Sequence, residues 1–224
     1  MKLEKITDTR WYDDACGTAL ALELVGERWS LLIVRELMFG PRRFGELRGG
    51  LPGISANVLT QRLTGLERAG IVVRRQLPSP ANVQVYDLTG WGRESETAIR
   101  EMGRWAARSP RHDPLAFMST ASAMISLRTL IDPAAAAAEG AMTVAFRFPA
   151  DAFVARLADG DLHITRGESV DADVTFIGDT MAMRRTIYGK EGFDVEGRLT
   201  LTGNRAVADR FVALFSLPEK VAVE

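Results

Sequence analysis

The chain has 224 residues, 46% of them hydrophobic and 25% charged, with a formal net charge of −1, which allows one or two domains with a real apolar core. No run approaches the roughly 18 consecutive apolar residues of a membrane span, and the opening stretch MKLEKITDTRWYDD is too polar for a secretory signal. A single cysteine, Cys16, excludes an internal disulfide, so the chain reads as cytoplasmic.

In chain order, Asp13 or Asp14 can cap a first helix that ends at Gly26. A second helix, about Arg28 to Phe39, carries Trp29, Leu32, Ile33, Leu37 and Met38 and stops at Gly40-Pro41. A short helix follows around Phe44–Leu47. Ser55 then caps a helix running to about Ala69, with Val58, Leu59, Leu63 and Leu66 at core-facing spacing and Asn57, Gln61, Arg62 and Thr64 on the other face. Beyond Gly70, IVVRRQL and VQVYDL are strand-like runs separated by PSPAN, a hairpin with Arg74, Arg75 and Asn82 on or near it. Thr89 caps a helix containing Trp91, Ala98, Met102 and Trp105. That coiled-coil-like spacing suits packing on a second copy of the chain or, equally, within its own domain.

Charge is distributed unevenly. Residues 1–112 carry 17 Lys+Arg against 13 Asp+Glu, and residues 113–224 carry 11 against 16. Between positions 40 and 75, Arg42, Arg43, Arg48, Arg62, Arg68, Arg74 and Arg75 stand against Glu46 and Glu67 alone. Such a patch is the electrostatic footprint of a nucleic-acid binder, or else a solvated helical face. The order of helix, basic helix, Ser-capped helix and strand pair is the plan of a winged helix-turn-helix, in which one helix reads the DNA major groove and a hairpin touches the backbone. The segment RSPRHDP, with two prolines and no strongly apolar residue, is the candidate linker. It separates an expected DNA-binding and dimerisation domain, residues 1–110, from a second domain, residues 111–224.

Cys16, then GERWSLLIVREL, GPRRFGEL, LPGISANVLTQRLTGLERAGIVVR and YDLTGWGR form an ordered series. Over about residues 11–107 this series resembles the HxlR family of winged-helix regulators, relatives of the MarR type. The resemblance implies a homodimer on double-stranded DNA with a two-fold related operator. It places Ser55, Asn57, Thr60, Gln61 and Arg62 in or beside the major groove and makes Arg42, Arg43, Arg74 and Arg75 phosphate contacts, with Asn82 beside them on the hairpin. The chain departs from the family pattern at Gly65, where a charged helix former is usual and glycine costs about 1 kcal/mol relative to alanine. Cys16 stands where several members have a redox-sensing cysteine, although Cys-Gly replaces their common Cys-Pro. A lone cysteine on an Ala/Leu-rich helix is more often a small buried apolar residue. Oxidation of a single thiol would give an intersubunit disulfide, a small-thiol adduct or an oxyacid.

In the acidic half, MTVAFRFP and AFVARLADGDLHITR alternate as strands around a turn at Asp159-Gly160, and DVTFIGD supplies another strand. A helix from about Thr180 to Tyr188, the strand RLTLTG and the amphipathic helix NRAVADRFVALF follow, which indicates α+β architecture. DADVTFIGD with its following helix, then VEGRLTLTGNRAVADRFVALF, resemble a sterol-carrier-protein type two domain. That resemblance implies a helix-covered sheet with an apolar cavity for a lipid-like ligand. Met118, Met124, Phe176, Met181, Met183, Ile187, Phe193, Phe211 and Phe215 are its candidate lining residues, unless they are plain core.

His112 and His163 are isolated, and no HExxH, CxxC pair, GxSxG elbow or phosphate loop is present. No catalysis, metal or cofactor is therefore expected. The sequence points to a homodimeric, sequence-specific DNA-binding transcriptional regulator modulated by an apolar or lipid-like small molecule, without membrane insertion. The alternative is a carrier of apolar ligands that uses the winged helix chiefly for dimerisation, for which seven clustered arginines serve no purpose.

Overall fold

The computed structural model describes residues 12–222; the first eleven residues, part of the polar opening stretch, lie outside that range. The chain forms two compact units that divide at Glu94–Ser95. The first contains α1 (Gly17–Val25), α2 (Ser30–Leu37), α3 (Phe44–Gly50), α4 (Ala56–Arg68), the antiparallel pair β1 (Val72–Gln76) and β2 (Gln84–Leu88), and α5 (Gly90–Glu94).

Local chemistry sets the ends of these elements. The first residue before α1 is Cys16, and the Asp14 carboxylate accepts a hydrogen bond from its backbone N–H at 2.9 Å. At the other end, a Cβ on Gly26 would run into the Leu22 carbonyl. Trp29 precedes α2 in a left-handed conformation, φ 81°, so that helix starts at Ser30 rather than near Arg28. The Arg28 guanidinium sits 5.2 Å from the Trp29 ring centroid, a cation–π contact that helps offset the roughly 1–2 kcal/mol of the left-handed backbone. The Ser55 hydroxyl accepts from the Val58 N–H at 3.2 Å and opens α4, and Leu59, Leu63 and Leu66 bury its inner face. They meet Ile33, Val34 and Leu37 of α2, Leu47 of α3 and Val72, Val85 and Leu88 of the hairpin in one core. The hairpin is anchored at its base, where Arg42 and Tyr86 exchange backbone hydrogen bonds of 2.9 and 2.8 Å.

The second unit contains α6 (Glu96–Ala107), α7 (Thr120–Leu130), α8 (Pro133–Ala138), β3 (Met142–Arg147), β4 (Ala152–Ala158), β5 (Asp161–Arg166), β6 (Val174–Ile177), α9 (Thr180–Ile187), β7 (Thr200–Gly203) and α10 (Arg205–Ala213). Its five strands run in the order β5-β4-β3-β6-β7. The β3–β6 pairing is parallel and the others antiparallel, so the sheet is mixed and the architecture α+β. Helices α7, α9 and α10 pack on one another and on this sheet. Rings fill the space between: Phe146 lies 5.4 Å from Phe176, Phe176 6.1 Å from Phe211, and Phe211 4.9 Å from Phe215.

The division between units falls before the RSPRHDP segment, not within it. Thr89 does cap a helix, accepting from the Gly92 N–H at 2.9 Å, but α5 ends at Glu94 and α6 packs on α7. Glu96 pairs with Arg128 at 2.9 Å, and Arg100 donates to the Arg128 carbonyl. These contacts assign α6 to the second unit. The proline-bearing segment after it is equally tied down. The Lys220 ammonium donates to the carbonyls of Ala107, Ser109 and His112 at 2.9, 3.1 and 3.2 Å. Arg184, itself buried, donates to the carbonyls of Pro114 and Ala116. Among the described residues, no helix is long and apolar enough to cross a membrane.

Candidate nucleic-acid interface

The winged helix-turn-helix plan is realised in the first unit: α3, a short turn, α4 and the β1–β2 hairpin follow in order. On α4 the inner leucines leave Asn57, Thr60, Gln61 and Arg68 exposed and Thr64 half-buried. Their spacing of three, four and seven residues puts them on one outward face. Asn57 and Gln61 carry amides that can donate to and accept from a base edge. Ser55 is exposed but spends its acceptor capacity on the cap, and the Thr60 hydroxyl donates back to the Ala56 carbonyl at 3.0 Å. Both still offer their oxygens near the start of the helix.

Arg62 points elsewhere. Its guanidinium pairs with Glu27 at 2.9 Å and donates to the Arg28 carbonyl at 3.0 Å, which ties α4 to the turn between α1 and α2. The sequence placed it with the groove-reading residues; in the structure its charge is turned back onto the unit, because Glu27, between α1 and α2, lies within reach of it. Arg68 takes its place on that face. It is exposed and, among the described residues, has no ion-pair partner. Its position one full heptad beyond Gln61 was the signal that could have singled it out.

The remaining arginines flank this helix. Arg43 is exposed immediately before α3, its backbone N–H bonded to the Glu46 carboxylate at 2.7 Å, while Arg42 is half-buried at the base of the hairpin. Arg74 makes a two-pronged contact with Glu67, at 3.2 and 2.9 Å, and lies 5.5 Å from the Tyr86 ring centroid. Arg75 lies 3.6 Å from Asp87, itself buried and paired with Arg93. Asn82 is at the hairpin tip with φ 38°, accepting from Gln76 at 3.0 Å. These carboxylates hold the guanidinium groups in fixed directions. A phosphate would then meet oriented cations with little side-chain entropy left to lose.

Cys16 is exposed. Its thiol is held below the usual range by the Thr18 backbone N–H first, then the Thr18 hydroxyl and the Ala19 N–H at the start of α1. A thiolate is favoured there for the same reason that anions gather at helix N-termini. Alkylation of Cys16 by iodoacetamide should accordingly reach half its maximal rate at a lower pH than for an unperturbed thiol. A midpoint at or above the ordinary cysteine value would show that the helix start does not act on it.

In the second unit, Met124, Phe176, Met183, Ile187, Phe193, Phe211 and Phe215 are buried, and Met118 and Met181 half-buried. The aromatic members touch one another, with Phe176 and Phe193 stacked at 5.3 Å. Among the described residues, no group of three or more His, Cys, Asp or Glu side chains is arranged to hold a metal ion.

Residues 24–113 match the model of the HxlR-like helix-turn-helix family. The HTH-type transcriptional regulator YodB of Bacillus subtilis is 41% identical over 86 residues, 38% of this chain and 77% of YodB. The regulator Mb3122 of Mycobacterium bovis is 46% identical over 85 residues, 38% of this chain and 53% of that protein. A crystal structure of quinone-bound YodB from B. subtilis is 37% identical, covering 40% of this chain and 93% of that one at a TM-score of 0.35. These relatives are transcriptional regulators, and the similarity covers the winged-helix part. Through that part, the chain belongs to the HxlR-like helix-turn-helix family.

Proposed function

We propose that this protein is a homodimeric, sequence-specific transcriptional regulator whose grip on DNA responds to an apolar or lipid-like small molecule. The observation that carries the DNA reading is the outward face of α4. There Asn57, Gln61 and Arg68 stand exposed beside oriented arginines of the hairpin, in a chain whose relatives are HTH-type regulators. Homodimerisation is supported by α6, on which Met102 is 52% and Trp105 77% exposed three residues apart. Large apolar groups left in water at that spacing suit a helix seam between two copies. The effector reading rests on the second unit, whose helix-covered sheet buries methionine and phenylalanine side chains, and on its resemblance in sequence to a sterol-carrier domain. A ligand there acts only if it binds the DNA-competent and DNA-incompetent arrangements unequally.

Fluorescence anisotropy on the gene's own upstream DNA and on a scrambled fragment, across salt concentrations, tests the reading. Salt-dependent binding with clear preference for the upstream fragment is expected. Equal weak binding there, with no preferred site in a genome-wide selection, would move the carrier reading ahead. In the same assay Arg74→Ala should weaken binding to all DNA alike and lower the magnitude of the log–log salt slope by about 1, the signature of one lost phosphate contact. An unchanged slope would remove Arg74 from the phosphate contacts. Native mass spectrometry of the full chain tests the effector, since a lipid-like adduct on the second unit is expected to survive desalting.

A further inference from the structure

We propose that His112 and Lys220 form a proton-sensitive latch in the second unit. It fastens the segment after α10 to the end of α6 while the imidazole is neutral, and lets that segment go when the imidazole takes up a proton.

The contacts define the closed state. Lys220 Nζ stands 3.2 Å from His112 Nδ1, and it also donates to the Ala107, Ser109 and His112 carbonyls. One residue on, the Val221 N–H donates to the Arg108 carbonyl at 2.9 Å. Ala107 is the last residue of α6 and Arg108 the next. The segment therefore brings a cation and a donor to carbonyls for which the helix itself has no N–H left.

The ring nitrogen decides whether this arrangement holds. An ammonium offers three donors and no acceptor, so the Nδ1 facing it carries a lone pair and the proton of the neutral ring sits on Nε2. Protonation of Nδ1 turns the acceptor into a donor and sets a second positive charge against Lys220. The ring is half-buried. Burial first, then Lys220, hold it below the ordinary histidine range; Asp113 pulls the other way, and Arg184 of α9 adds to the depression. Asp113 has one carboxylate oxygen already on the Leu115 N–H at 2.8 Å.

The closed state thus binds fewer protons at His112 than the open one. The latch is at full strength above the ordinary histidine range, and it weakens as the pH falls from there through the lowered value of the closed ring. Opening strips the last turn of α6, the helix of Met102 and Trp105, of both contacts at once. The latch itself does not depend on the homodimer reading.

NMR on the full-length protein between about pH 8 and about pH 5 tests the latch. The chain has two histidines, and His163, exposed on β5, serves as the internal reference. The His112 ring is expected to titrate below the ordinary histidine value with its neutral form protonated on Nε2. Nitrogen relaxation of the Lys220 and Val221 amides should pass from ordered to mobile over the same titration. Lys220→Met removes the facing charge and keeps the side-chain length, so it should raise the His112 midpoint; an unmoved midpoint would overturn the pairing. His112→Asn puts an amide oxygen, which accepts at every pH, close to where Nδ1 stands, and its Val221 amide should stay ordered throughout. Mobility that still sets in at low pH in this variant would assign the response to another group. A variant already mobile at the upper end would show that the accepting atom does not hold the segment. Either result overturns the switch, as does a wild-type segment that stays ordered across the whole range.

Discussion

Phe211→Ala is expected to destabilise the second unit by about 3–5 kcal/mol, the usual cost of deleting a fully packed aromatic side chain. Phe211 is completely buried and touches three rings: Phe146 at 6.0 Å, Phe176 at 6.1 Å and Phe215 at 4.9 Å between centroids. Those rings come from β3, from β6 and from the segment just after α10, so the void left behind cannot close by moving one element. Hydrogen exchange of the β3 and β6 amides in the full chain is the appropriate readout, because protection there falls with the stability of this unit and is blind to the other. The measurement also decides what the phenylalanines do. A loss well under 1 kcal/mol would mean that Phe211 borders an open cavity, as the sterol-carrier reading of its neighbours requires, and not a filled core.

Gln61→Ala should reduce discrimination between the preferred operator and random DNA by about 1–3 kcal/mol, or roughly 5- to 150-fold. The amide stands exposed on the outward face of α4, where it can make two hydrogen bonds to one base edge. Competition anisotropy with both DNAs at a single salt concentration measures the ratio directly. Equal losses on the two would show that Gln61 meets the backbone or nothing. Arg62→Ala provides a contrast: its guanidinium is committed to Glu27 and the Arg28 carbonyl, so its removal should loosen the seating of α4 and weaken both DNAs together.

The winged-helix half was legible because its signals are local. Ser55 announces α4 through a hydrogen bond to a backbone N–H only three residues away, and the Leu59, Leu63 and Leu66 spacing names the buried face without knowledge of what covers it. The hairpin is equally local, two β-branched runs around a proline-bearing turn. What escaped depends on partners distant in sequence. Arg62 reads as a groove contact until Glu27, 35 positions earlier, is seen beside it. The unit boundary was displaced because α6 owes its allegiance to Arg128 on α7, which no composition shift records. Helix α7 itself carried no expectation: Ala121, Ala123, Met124, Ile125, Leu127 and Thr129 are buried around most of its circumference, so it lacks the one-sided apolar stripe by which a surface helix is recognised. The strands of the second unit were found by alternation, but the parallel seating of β6 beside β3 requires the chain to return from β5 at the sheet edge to the far side of β3, a long-range pairing that periodicity does not encode.

The Lys220 contacts have a consequence for synthesis. They join the end of α6 to a residue up to 113 positions later. Chains leave the ribosome N-terminus first, so the winged-helix unit, whose elements all come before Ser95, can close while the remainder is still being made. The carbonyls of Ala107, Ser109 and His112 must wait for Lys220 to emerge. The winged-helix unit can thus be complete during translation, well before the second unit receives this fastening.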